Sequence, residues 1–152
     1  MHDAAAGEGR GVAALAAALE ADPRFSSAWL FGSAARGNLR PDSDFDVGVV
    51  LADPSAERAF MEDFREILGR LGLLAGRDVH LIDLRRAGHT VRFQVFRTGR
   101  LLFDRDTAAT RALLVRTMRE RFDDEYARRV FDRAAAAWAA RLAPGAERSD
   151  HG

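Results

Sequence analysis

Two short stretches hold residue types whose spacing could support chemistry. Gly32-Ser33 closes the apolar run "SSAWLF", and Asp44 and Asp46 stand one residue apart where the next apolar run opens. On an extended segment, residues i and i+2 share a face, so both carboxylates project the same way. Two like charges so placed repel each other unless a cation intervenes. Mg²⁺ suits the task, because it takes hard oxygen ligands and fills its remaining positions with phosphate oxygens and water. Acidic residues are also common in turns, and that accounts equally for a bare D-x-D. Gly32 and Ser33, followed by "AAR", can start a helical turn whose unpaired N–H groups favour a phosphate, with glycine permitting close approach. The competing assignment makes Ser33 an ordinary helix N-cap. Taken together, the stretches form a phosphate cradle beside a metal clamp, which is what phosphoryl or nucleotidyl transfer needs.

The rest of the chain must bring these groups together. At 152 residues it suffices for one domain with a real core. Val12–Ala21 is expected to be helical and to stop at Asp22-Pro23. "SSAWLF" is expected to be a buried strand. In the strand after the loop, Phe45, Val47, Val49 and Leu51 occupy one face, and Asp44, Asp46, Gly48 and Val50 the other. A helix starts in "DPSAE" and buries Phe60, Phe64, Ile67, Leu68 and Leu71 as one stripe. "RDVHLIDL" (77–84) and "RLLFD" (100–104) are further strands. Between them Thr90–Thr98 forms a helix ending at Gly99, where a left-handed cap is natural. Thr107–Leu142 is helical, with a possible division near Phe122–Asp124. Residues 1–11 and 143–152 are expected to be frayed or disordered, 12–106 to form the functional domain, and 107–142 to pack on it. The element order implies α+β, with a small mixed sheet flanked by helices and a C-terminal helical tail.

Composition narrows the function. Lys+Arg and Asp+Glu each number 23, giving a net charge of +0, so no broad basic surface is available for nucleic acid or membrane. Lysine is absent, which removes Schiff-base and P-loop chemistry. The absence of cysteine removes disulfides and thiolate sites. "VAALAAAL" is too short to cross a bilayer and lacks the basic flank of a signal peptide, so the cytoplasm is the expected location.

"GSAARGNLRPDSDFDVGVV", with Gly32-Ser33, ten residues, then Asp44-Phe45-Asp46, resembles the GS-x10-DxD motif of the DNA polymerase β-type nucleotidyltransferase superfamily. The "GSxARG" opening, the "SD" before the second aspartate and the sequence "VRFQVFRTGRLLFDRD" resemble its minimal nucleotidyltransferases (MNT), which are antitoxins paired with HEPN-domain toxins. The resemblance covers about Trp29 to Asp104. It implies transfer of AMP from ATP with Mg²⁺, with Gly32 and Ser33 holding the triphosphate and Asp44 and Asp46 the metal. Arg36 would neutralise phosphate charge, or alternatively form a structural salt bridge. The implied partner is a HEPN toxin, modified on a tyrosine hydroxyl, in a possible hetero-oligomer. A non-catalytic binding antitoxin and an aminoglycoside-type enzyme are the alternatives, and the latter normally needs an additional acceptor-binding domain.

One position departs from the pattern. The superfamily places a third carboxylate on a neighbouring strand, where "VHLIDL" presents His80. Asp78 could assist from about 6–7 Å along the strand, His80 could serve as a base or an awkward ligand, or turnover could be slow or absent. His80 could also be a partly buried histidine with no chemical role. Asp42 and Asp53 are expected to be solvated turn residues, Asp83 to cap or pair at a strand end, and His89 to cap a helix.

Overall fold

The computed structural model describes residues 2–37, 40 and 42–142. Four strands, β1 (Phe25–Phe31), β2 (Phe45–Leu51), β3 (Val79–Asp83) and β4 (Arg100–Asp104), form one sheet in the order β3-β2-β1-β4. β1 pairs antiparallel with β2 and with β4, while β2 and β3 run parallel, so the sheet is mixed. Strand alternation divides the apolar side chains between two layers. Ala28, Leu30, Phe45, Val47, Val49 and Leu51 face one core, which α1 (His2–Ala21), α3 (Pro54–Glu62) and α4 (Phe64–Ala75) cover. Trp29 and Val50 face a smaller core with Val95 of α5 (His89–Thr98) and Leu113 of α6 (Thr107–Leu142). A one-turn helix, α2 (Gly32–Ala35), follows β1 directly.

Several boundaries differ from the expectations. Helix α1 begins at His2, so residues 2–11 are helical rather than frayed. Val12, Leu15 and Leu19 anchor that helix in the core, and its alanines extend it upstream. The stripe from Phe60 to Leu71 is carried by two helices that break at Asp63, with Phe60 and Phe64 packed edge to face across the break at 5.3 Å. Gly99 is extended (φ −73°) rather than left-handed, because the chain passes straight into β4. Helix α6 runs unbroken for 36 residues, without the division anticipated near Phe122–Asp124. The segment 143–152 lies outside the described residues.

Arg92 on α5 fastens α6 to the domain. It is 2% exposed, donates from Nε to Thr117 Oγ1 at 2.9 Å, and pairs with Glu120. Asp53 is exposed, as expected, and also caps α3 by accepting from Ala56 N at 2.8 Å. Asp53→Ala is expected to lower stability by about 1 kcal/mol, and a shift of the urea midpoint at constant m-value would show it.

Candidate active site

The site lies where β1 ends and β2 begins. Antiparallel pairing puts Phe31, the last residue of β1, opposite Asp46. The chain then turns at Gly32 with φ +70°, a left-handed conformation that disfavours any Cβ. A Cβ at Gly32 would lie 2.5 Å from Asp46 Oδ2, so the turn and the carboxylate are in close approach. Phe31 is the N-cap residue of α2, which leaves Ser33 in the first turn itself and removes its expected alternative role as a cap. Arg36 ends the turn and is exposed.

Parallel pairing of β2 with β3 sets His80 beside Asp46. Its imidazole lies across both acids, with Nε2 3.3 Å from Asp44 Oδ2 and Nδ1 3.4 Å from Asp46 Oδ1. His80 is 64% exposed, rather than partly buried. Asp78 is exposed just before β3, and its backbone carbonyl accepts from Phe45 N at 2.9 Å. That bond places Asp78 level with the Asp44 end of the site.

The loop before Asp44 is held by a residue that spacing does not single out. Arg77 stacks over the Phe45 ring at 4.7 Å and donates to the backbone carbonyls of Ser43, at 2.9 Å, and Arg40. Its partners are main-chain atoms more than 30 residues upstream, so no side-chain pattern announces it.

Other residues lie elsewhere. Asp83 is largely buried at the end of β3 and accepts from Arg85 N at 3.0 Å. Burial pushes its carboxyl above the ordinary range, against the lowering effect of that bond. Gly88 occupies the N-cap position of α5, so His89 does not cap the helix and instead faces Asp124 at 3.3 Å.

The donor set fits a hard divalent cation. Asp44 and Asp46 offer carboxylate oxygens, and the side chain that Gly32 lacks would crowd one of them. Among the described residues no three or more His, Cys, Asp or Glu groups converge as a preformed metal cage. The protein supplies two acids with an imidazole lying across them.

These features define a nucleotidyltransferase fold, and comparison with known proteins gives the family. Residues 14–108 match the model of the family "Polymerase beta, Nucleotidyltransferase", and the chain belongs to that family. Among solved structures, a toxin–antitoxin complex with AMP-PNP is similar at 24% identity and a TM-score of 0.58, covering 77% of this chain and 90% of that one. The toxin–antitoxin MntA-HepT is similar at 23% identity and a TM-score of 0.53, covering 77% and 88%. A tri-AMPylated Shewanella oneidensis HEPN toxin in complex with MNT antitoxin is similar at 22% identity and a TM-score of 0.52, covering 77% and 87%. At these identities the likeness establishes the fold. No curated protein matches the chain. No helix among the described residues is long and apolar enough to cross a membrane.

Proposed function

We propose that this chain is an MNT antitoxin that transfers AMP from ATP to a tyrosine hydroxyl of a HEPN-domain toxin. The observation that carries the reading is the close approach of the Gly32 turn to the Asp46 carboxylate, which supports the turn as a phosphate-binding element beside the acid pair. The AMP-PNP and tri-AMPylated states of the similar complexes support AMP as the transferred group and a HEPN protein as the acceptor. In the transfer, the tyrosine oxygen forms a bond to the α-phosphorus, the α–β phosphoanhydride bond breaks, and pyrophosphate leaves. Backbone N–H groups at Gly32 and Ser33 hold the triphosphate, and the exposed Arg36 draws in its charge. Asp44 and Asp46 would hold Mg²⁺, which offsets charge on the phosphates. Asp78 and His80 are the nearby groups able to accept the tyrosine proton.

The test incubates the purified chain with labelled ATP, Mg²⁺ and a HEPN-domain toxin. Label on the toxin tyrosine supports the reading, and label on a small-molecule acceptor alone overturns it. One observation favours a second reading, in which the chain neutralises its toxin by binding, with little turnover. His80 lies across both acids at the position where the family resemblance calls for a third carboxylate. His80→Asp is therefore expected to raise the transfer rate at saturating Mg²⁺ by about tenfold or more, the scale of effects around a metal site. An unchanged or lower rate would show that position 80 does not limit the site.

A further inference from the structure

Of the two acids at the site, the sheet fixes only Asp46. It lies within β2, paired with Phe31 on one side and His80 on the other. Asp44 precedes the strand, which begins at Phe45, so no ladder pairing sets its direction. It follows a turn closed by the Ser43 N–H, which donates to the Arg40 carbonyl at 3.1 Å. Both carboxylates nevertheless reach the same imidazole, at 3.3 and 3.4 Å, so Asp44 is held on the side that Asp46 faces.

The two residues just before β3 supply the hold, one on each side of Asp44. Downstream, Phe45 N donates to the Asp78 carbonyl at 2.9 Å. Upstream, Arg77 Nη1 donates to the Ser43 carbonyl at 2.9 Å and to the Arg40 carbonyl at 3.3 Å. The Ser43 carbonyl and the Asp44 N–H belong to one planar peptide group, so a bond to the first orients the second. The same guanidinium lies over the Phe45 ring at 4.7 Å, and Phe45 is fully buried. Arg77 is thereby braced against the core while it grips the loop. Among the described residues its hydrogen bonds go to main-chain carbonyls and none to a carboxylate.

We propose that Arg77 is a positioning residue of the active site, which acts through the 43–44 peptide to aim the Asp44 carboxylate and so sets the affinity for metal-bound nucleotide. This role rests on the reading of Asp44 and Asp46 as the pair that holds Mg²⁺. Groups that orient a metal-binding side chain typically cost about 10–100-fold in affinity or activity when removed. A brace serving stability alone would leave the affinity of the folded protein unchanged.

Calorimetry of the full chain with Mg²⁺ and a non-hydrolysable ATP analogue tests it, with urea unfolding measured on the same samples. Arg77→Met keeps an apolar stem over Phe45 and removes the donors, and its affinity is expected to fall by about tenfold or more. Arg77→Lys keeps a donor for the two carbonyls but no planar face for the ring, and is expected to recover part of the loss. Asp53→Ala, which weakens the start of α3, should lower the urea midpoint and leave the affinity unchanged. A double-mutant cycle gives the decisive readout. In an Asp44→Asn background, Arg77→Met should cost little further affinity, because the carboxylate it aims has lost its charge. Full additivity of the two changes overturns the proposal. So does wild-type affinity in Arg77→Met, or an affinity that follows the urea midpoint in every variant, Asp53→Ala included. A wild-type chain that does not bind Mg²⁺ and the analogue overturns the nucleotidyl-transfer reading, and this role with it. A wild type that binds beside an Arg77→Met variant that binds equally overturns this role alone.

Discussion

Replacing Asp44 and Asp46 together by asparagine is expected to abolish AMP transfer, lowering the rate by about 10³-fold or more while leaving the fold intact. Removing a single preorganised charge-stabilising group from an active site typically costs on the order of 10²–10³, and here both anionic groups that would hold the cation disappear. The fold should survive because neither side chain is in the core: Asp44 and Asp46 are partly exposed, with Phe45 and Val47 supplying the burial on the opposite face of β2. Asparagine keeps the shape and removes the charge, and it also ends the repulsion between two neighbouring carboxylates, so the thermal midpoint should hold or rise slightly. Labelled-ATP transfer to a HEPN-domain toxin, measured beside a melting curve, separates the two effects. A double variant that transfers at the wild-type rate would remove the carboxylate pair from the mechanism. A variant that has lost transfer yet still neutralises the toxin would show that binding alone accounts for the antitoxin effect.

Gly32→Ala is expected to damage both the fold and the candidate site. Its backbone sits at φ +70°, where a non-glycine residue pays about 1–2 kcal/mol. The added carbon would also lie 2.5 Å from Asp46 Oδ2, so the carboxylate or the turn must move. Either movement shifts the turn proposed to hold phosphate away from the acid beside it. Calorimetry with a non-hydrolysable ATP analogue and Mg²⁺ is expected to show affinity falling by about tenfold or more, together with a melting point lower by several degrees. Gly37, also left-handed at φ +71° but with nothing among the described residues within 4 Å of the same virtual carbon, provides the control. Gly37→Ala should share the stability cost and spare nucleotide binding. Equal losses of affinity in the two variants would mean that strain, rather than contact with Asp46, sets the effect at Gly32.

Much of the site was legible without coordinates because its parts are close in sequence and their chemistry is local. A glycine–serine turn ending one apolar run, and two acids opening the next, restrict the possibilities through backbone geometry and charge alone. The alternation of Phe45, Val47, Val49 and Leu51 against Asp46 and Val50 follows from the two-residue period of a strand, and the structure keeps it. Helix ends were harder, because the break at Asp63 and the unbroken run of α6 turn on packing that periodicity does not encode.

What the sequence determined by itself was the inventory of candidate site residues and the α+β class, since residue type, spacing and strand period are properties of the chain. Only the tertiary structure decided how the inventory is assembled. The register of β3 on β2 lays His80 across both acids, and the antiparallel pairing of β1 presses Gly32 against Asp46. Arg77 reaches back to hold the Asp44 loop, and Arg92 locks α6 onto the domain. The contacts of His80, Arg77 and Arg92 join residues far apart in the chain, and whether they meet depends on which strands pair and how the helices cover them.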